Sequence, residues 1–147
     1  MAGVTYDTGA LVAAERNERR MWALHAGFLA EEVVPTVPAP VLAETWRGGP
    51  RQASLARLLV MCDVEPMSEL QARTVGELVG RSGHPNVIDV TVVEGAQRRG
   101  DSVITSGPRD LQRIADSSRS SSRRSNASSR LDTPSILLAR PPPVNTD

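Results

Sequence analysis

Short β-branched runs alternate with longer segments of helical periodicity through the first 115 residues of the chain. This alternation predicts strands joined by crossover helices, and such strands form a parallel sheet that helices cover on both faces. The predicted strands span residues 4–6, 33–37, 64–67 and 102–105. The expected fold class is therefore α/β, a three-layer sandwich with a central parallel sheet flanked by helices.

Apolar periodicity and helix-capping residues between these runs predict the covering helices. The predicted helices span residues 10–30 (as one helix or two), 40–47, 52–61, 69–79, 87–99 and 109–114. Ser68 and Asn86 would cap the fourth and fifth of them, and Gly100 would end the fifth.

The composition of the chain changes near residue 116. Residues 117–130 hold eight Ser and four Arg among fourteen residues, which leaves too little apolar surface to offset the entropy of an ordered chain. We therefore predict a folded domain over residues 1–115 and a disordered Ser/Arg/Pro-rich tail over residues 116–147. A substitute strand at residues 136–138 is the less favoured alternative, because it requires a long loop.

The residue types present exclude several kinds of active site. All 17 basic residues are arginine, so no lysine is available for a phosphate-binding loop or a Schiff base. The single Cys62 excludes intrachain disulfides and multi-cysteine zinc sites. A polar site must be built from carboxylates, arginines and hydroxyls. No targeting signal or membrane segment is visible, so the cytoplasm is the expected location.

Three carboxylates stand where a parallel α/β fold gathers ligands, beyond the carboxyl ends of its strands. Asp7 follows the first predicted strand, Asp89 lies on the apolar stripe at a helix start, and Glu44 lies in a mainly apolar helical segment. Taken singly, each has an ordinary role: a turn residue, a helix-dipole partner and a solvent-facing glutamate. Together they need a counter-charge, and with almost no His or Cys the fitting ion is Mg²⁺ or Mn²⁺ on oxygen ligands.

Four segments in order carry a family resemblance. They read YDTGAL at 6–11, PAPVLAETWR at 38–47, VIDVTVV at 87–93 and VITSGPRDL at 103–111. In order and spacing they resemble the PIN-domain ribonucleases, most closely the VapC-like toxins of type II toxin–antitoxin pairs. The resemblance spans about residues 4–114, and it implies a PIN-like sandwich around a parallel sheet.

The resemblance also implies a function. It implies a metal-dependent endoribonuclease toxin that hydrolyses RNA phosphodiester bonds with a metal-activated water, using Mg²⁺ or Mn²⁺. By motif, Asp7, Glu44 and Asp89 would be the catalytic, metal-binding acids, and Thr105 would support the site. The implied partners are the RNA substrate, a cognate antitoxin and a second copy of the chain in a homodimer.

The last segment departs from the family pattern, which usually reads Thr-Ser-Asp. Gly107 stands where the fourth acid is expected, and the loss of one carboxylate weakens metal binding, particularly of a second ion. Asp110, one helical turn further on, either reaches in to support the site or lies in the first turn of a helix. Gly107 thus favours an alternative function: a catalytically impaired PIN-fold module that binds antitoxin or RNA without cutting.

The remaining polar and aromatic residues have open interpretations. Arg47 and Arg51 are weak candidates for contacts with the RNA backbone, and solvated helix-end arginines are an equal alternative. Trp46 is expected in the core or in an interface. A phosphoacceptor domain is a further possibility for acids at strand ends, but the missing lysine counts against it.

Overall fold

The computed structural model describes residues 3–105 and the backbone of residues 136–138. Within these residues one sheet contains five strands, all parallel, in the order β3-β2-β1-β4-β5. The strands are β1 (Val4–Tyr6), β2 (Thr36–Pro38), β3 (Asp63–Glu65), β4 (Ser102–Thr105) and β5 (Ile136–Leu138). The α/β class with a parallel sheet is confirmed.

Six helices accompany the sheet in the described part of the chain. They are α1 (Thr8–Glu15), α2 (Arg19–Ala30), α3 (Ala39–Thr45), α4 (Ala53–Leu59), α5 (Glu69–Ser82) and α6 (Val87–Arg99), and a 3₁₀ turn, Pro50–Gln52, precedes α4. The segment predicted as one helix or two is two, because Asn17 takes a left-handed φ of 56° between them, a conformation that asparagine tolerates. None of the described helices is long and apolar enough to cross a membrane.

The alternation of side chains along β1 shows the three layers. Tyr6 points to α2, where its ring lies 6.4 Å from that of Phe28. Thr5 points to the opposite face, where it bonds Arg99 at the end of α6. Since successive side chains of a strand leave opposite faces, helices cover the sheet on both sides. All three residues of β1 are buried at the centre of the core.

The predicted caps of the last two helices are confirmed. The Ser68 hydroxyl accepts the backbone N–H of Gln71, and the Asn86 side chain accepts those of Ile88 and Asp89. Gly100 ends α6 with a φ of 71°. These bonds fix where α6 begins, and therefore where Asp89 stands.

The strand bounds differ from the predicted ones by a few residues. The second strand begins at Thr36 rather than at residue 33, and the third ends at Glu65 rather than at residue 67. Pro66 has no N–H to continue the ladder, so the third strand stops before it. The bounds follow the pairing of β2 with β3, which joins Thr36 to Asp63 and Pro38 to Glu65.

Residues 136–138 lie inside the predicted tail, at the position of the less favoured substitute strand. These residues form β5, which pairs in parallel with β4 and places Leu137 opposite Ile104. In the sheet, β4 lies between β1 and β5. The pairing with β5 therefore satisfies the backbone N–H and C=O groups on the side of β4 that β1 does not reach, and such groups are costly to leave unpaired in a buried strand. The rest of the predicted tail and the predicted helix at 109–114 lie outside the described residues.

Candidate active site

Asp7 is the first residue after β1 and caps helix α1. Its backbone is extended, and its Oδ1 accepts the Ala10 N–H at 2.9 Å. Only 8% of the residue is exposed. A carboxylate at a helix N-terminus is favoured by the helix dipole and by the unpaired N–H groups there. Capping therefore fixes the Asp7 carboxylate at the carboxyl edge of the sheet.

Thr105 lies beside Asp7 at the end of the neighbouring strand. The Asp7 N–H donates to the Ile104 carbonyl at 3.3 Å, which extends the pairing of β1 with β4 by one residue. The fully buried Thr105 hydroxyl donates to the Asp7 carboxylate. Thr105 thus holds the Asp7 carboxylate from the neighbouring strand.

Asp89 lies in the first turn of α6, where it is partly buried. Burial raises the pKa of Asp7 above its ordinary value. Hydrogen bonds from Thr105 and from the Ala10 and Gly9 N–H groups oppose this rise, and the negative charge of Asp89 adds to it. The two carboxylates are therefore close enough for the charge of one to disfavour the charge of the other.

Glu44 reaches the same edge from the last turn of α3. It is exposed, and its Oε2 accepts the Thr8 hydroxyl at 3.1 Å. Helix α3 packs against both α1 and α6. The structure thus places Asp89 within electrostatic reach of Asp7 and attaches Glu44 through the residue that follows Asp7. Among residues 3–105, no three His, Cys, Asp or Glu side chains are grouped closely enough to hold a metal ion.

The two candidate arginines are both exposed. Arg47 donates from Nη1 to the carbonyls of Ala43 and Trp46, at 3.2 and 2.7 Å. Arg51 is exposed in the 3₁₀ turn before α4. The other predicted residues, Gly107 and Asp110, lie outside the described residues.

The sequence analysis missed Thr8 and Gln52. Thr8 connects Asp7 to Glu44, and the only signal for it is that it follows an acid at a strand end. Gln52 is buried beneath the loop after α3, and its side chain bonds three backbone groups there. A polar residue at a predicted helix start gives no sign of such a role, because its partners are set by the path of the loop.

The strand order and the helices on both faces define a parallel α/β sandwich with acids at the carboxyl edge of its sheet. No protein-family model matches the chain, and no curated protein sequence matches it. Among solved structures, the chain is similar to a chain of VapBC2 from Rickettsia felis bound to a DNA fragment from their promoter, with a TM-score of 0.62. The match has 18% sequence identity and covers 76% of this chain and 92% of that chain. The likeness is one of fold, and the predicted PIN-like fold is confirmed.

Proposed function

We propose that this chain is a metal-dependent endoribonuclease, the toxin of a toxin–antitoxin pair. The observation that carries the proposal is the buried Asp7 carboxylate, which is held by Thr105 and feels the negative charge of Asp89 at the carboxyl edge of the sheet. Two neighbouring carboxylates in a buried site favour a bound cation, which would balance their negative charges. The fold shared with VapBC2 supports the proposal.

The residues present fit Mg²⁺ or Mn²⁺. Mg²⁺ is commonly held by one or two carboxylates, and waters and substrate phosphates complete its octahedral shell. Asp7 and Asp89 would supply those carboxylates. Glu44 would add negative charge on the exposed side of the site, where Thr8 restrains it.

The chemistry proposed is hydrolysis of an RNA phosphodiester bond. When bound, the metal ion would activate the attacking water and stabilise the charge that develops on the phosphate. The Asp7 carboxylate would stay in one position during the reaction, because Thr105 and the first turn of α1 both donate hydrogen bonds to it. The capped start of α6 would keep Asp89 in register with it.

We extend the proposal to three partners: the RNA substrate, a cognate antitoxin and a second copy of the chain. VapBC2 is a complex that was solved on a fragment of promoter DNA. By likeness of fold, an antitoxin is the protein partner we propose for this chain. A homodimer is proposed on the family resemblance alone.

Metal-dependent RNA cleavage by the purified chain tests the proposal. We expect cleavage only with Mg²⁺ or Mn²⁺, and we expect Asp7→Asn to reduce the rate by about a hundredfold or more, in the range seen when a group that stabilises charge is removed. The asparagine side chain retains an oxygen that can cap α1, so the variant should stay folded. Asp63→Asn, at an exposed acid on β3, is the matched control and should cleave like the parent.

Thermal unfolding gives a second readout that does not depend on activity. Mg²⁺ should raise the Tm of the parent, because an ion that binds only the folded state stabilises it, and it should leave the Tm of Asp7→Asn unchanged. Cleavage without metal, or equal cleavage by Asp7→Asn, would refute the proposal. A silent parent that Gly107→Asp makes active would indicate a toxin that lost its activity with the fourth acid, and silence of both folded proteins would instead support the binding module.

A further inference from the structure

Thr8 uses its hydroxyl differently from the other threonines of the described helices. Thr45, Thr74 and Thr91 each donate to the carbonyl four residues earlier in their own helix, at 3.0, 3.1 and 2.8 Å. Thr8 is the first residue of α1, so no earlier turn of its helix offers it a carbonyl. Its hydroxyl donates instead to a different element, the Glu44 carboxylate of α3, at 3.1 Å.

The Glu44 carboxylate depends on this hydrogen bond for its position. Glu44 is exposed in the last turn of α3, and a long exposed side chain samples many rotamers unless a partner holds it. Among the residues that the structure describes, the Thr8 hydroxyl is the one hydrogen-bond partner of the Glu44 side chain. Thr8 has few rotamers, because its side chain is β-branched and stands in a helix. The threonine therefore fixes the glutamate rather than the reverse.

The charges around Glu44 make such a donor useful. Asp7 caps α1 directly before Thr8, and the negative charge of Asp89 already acts on Asp7. A third carboxylate at the same edge of the sheet is repelled by the other two, and an exposed side chain can turn away into water. A neutral hydroxyl donor opposes this repulsion. Helices α1 and α3 pack against each other, so the core sets the distance that the bond must span.

We propose that Thr8 is a positioning residue of the candidate active site, whose hydroxyl holds the Glu44 carboxylate at the start of α1 so that Glu44 raises the metal affinity of the site. The inference rests on the proposed function. Hydrogen-bond partners that lie outside the ligand shell of a metal commonly change its affinity by about 10- to 100-fold. Glu44 is exposed and Thr8 is partly exposed, so the bond should matter more for metal binding than for folding.

Binding of Mn²⁺ to the purified chain tests the inference without RNA and without catalysis. Electron paramagnetic resonance measures the free Mn²⁺ during a titration. Thr8→Val removes the hydroxyl but keeps the shape of the side chain, and it should weaken Mn²⁺ binding by about tenfold, the low end of the range for such partners, because water reaches this pair. Glu44→Gln should weaken binding to a similar extent. The double variant should bind no more weakly than Glu44→Gln alone, since Thr8 acts through Glu44.

Two further variants separate positioning from a change in the fold. Thr8→Ser keeps the hydroxyl and should retain most of the affinity that Thr8→Val loses. Thr74→Val removes a hydroxyl that bonds within its own helix, α5, and should bind Mn²⁺ like the parent. Without metal, Thr8→Val should have the same Tm as the parent, which a purely structural role for Thr8 does not allow.

The outcomes distinguish this inference from the function on which it rests. If the parent binds Mn²⁺ and cleaves RNA but Thr8→Val binds Mn²⁺ equally well, the positioning role is wrong and the nuclease stands. Additive losses from Thr8→Val and Glu44→Gln would also overturn it, because the two residues would then act independently. If the parent neither binds Mn²⁺ nor cleaves RNA, both proposals fail. In a cleaving parent, Thr8→Val should raise the Mn²⁺ concentration for half-maximal cleavage by the same factor of about ten.

Discussion

At the scale of single residues, Asp7 both caps a helix and lies in the candidate active site. As the N-cap of α1 it stabilises the helix, yet burial and the nearby Asp89 raise its pKa. The folded protein therefore binds the Asp7 proton more tightly than the unfolded chain does. The contribution of Asp7 to the free energy of unfolding therefore falls as pH rises from its ordinary pKa of 3.8 through its raised pKa. Groups with a strongly shifted pKa are often found at functional sites, where the shift lowers the stability of the folded protein.

His25 is a second buried titratable residue, and it packs against Tyr6 in the core. Its Nδ1 lies 2.9 Å from the Tyr6 hydroxyl, and its Nε2 is buried without a hydrogen-bond partner among the described residues. The Trp22 ring packs nearly perpendicular to it. Burial lowers the pKa of His25, because a charged imidazole in this position would lose its hydration.

This residue should make the protein less stable in mild acid. The unfolded chain takes up the His25 proton near its ordinary pKa of 6.5, before the folded protein does. The free energy of unfolding should therefore be highest above pH 6.5 and should fall as pH drops toward the lowered pKa, by at most about 1.4 kcal/mol per pH unit for one proton. Urea unfolding between pH 5 and 8 measures the slope.

The chain's two histidines provide the control for that experiment. His25→Gln should flatten the slope below pH 6.5, whereas His84→Gln, at a partly exposed loop position, should keep it. An unchanged slope in His25→Gln would assign the acid sensitivity to another group.

At the scale of elements, the link between α3 and α4 depends on one buried side chain. The sequence marks this link only by Gly48 and Gly49, which take φ values of 77° and 88°. Those values allow the chain to turn, but they do not hold it in place. The three hydrogen bonds of the Gln52 side chain do so, and they keep the end of α3, with Glu44 and Trp46, at the edge of the sheet.

Gln52→Ala should destabilise the protein. The change leaves the Arg47 and Gly48 N–H groups and the Thr45 carbonyl without partners under the loop. Each buried polar group left unpaired costs about 1–3 kcal/mol, and since water can reach part of this loop we expect a total of about 2 kcal/mol. Chemical denaturation measures it. Gln52→Glu keeps an acceptor for the two N–H groups but sets a buried carboxylate against the Thr45 carbonyl, so it should not restore the stability; a neutral Gln52→Ala would contradict the role.

At the scale of the whole molecule, a network of charges joins the amino-terminal edge of β4 to the outer strand β3. Arg99 bonds Glu65, Asp101 and the Thr5 hydroxyl, and Arg98 bonds Glu65 as well. Asp101 is 5% exposed and also accepts the Thr5 hydroxyl at 2.8 Å. The arginines hold the pKa of Glu65 below its ordinary value, against the effect of its burial. The end of α6 is thereby tied to β1, to β3 and to the residue just before β4.

Arg99→Met should cost about 3 kcal/mol of unfolding free energy, because it leaves the buried Asp101 carboxylate without its cation. The control is Arg73→Met. Arg73 pairs with Glu69 on the surface of α5, with both side chains more than 70% exposed, and a pair of that kind contributes about 0.5 kcal/mol or less. Equal effects of the two substitutions, measured by urea unfolding, would show that the network adds no stability.

Local chemistry explains why some features could be predicted. Asn86 and Gly100 set the ends of α6 through bonds within a few residues, so the sequence places Asp89 in the first turn. Asp7 likewise caps α1 from its own segment. Strand ends are less predictable, since β3 stops where its pairing with β2 and the missing N–H of Pro66 require.

The sequence by itself determined the α/β class, the capped helices and the acids that stand near the sheet's carboxyl edge, because each of these depends on residues close together in the chain. Only the tertiary structure decided the rest. β5 pairs with β4 across a long stretch of sequence, Thr8 meets Glu44 from 36 positions away, and Gln52 fixes the loop that exposes Trp46. Such contacts form between segments that the fold brings together, and no local pattern records which partner a buried polar group or an open strand edge will find.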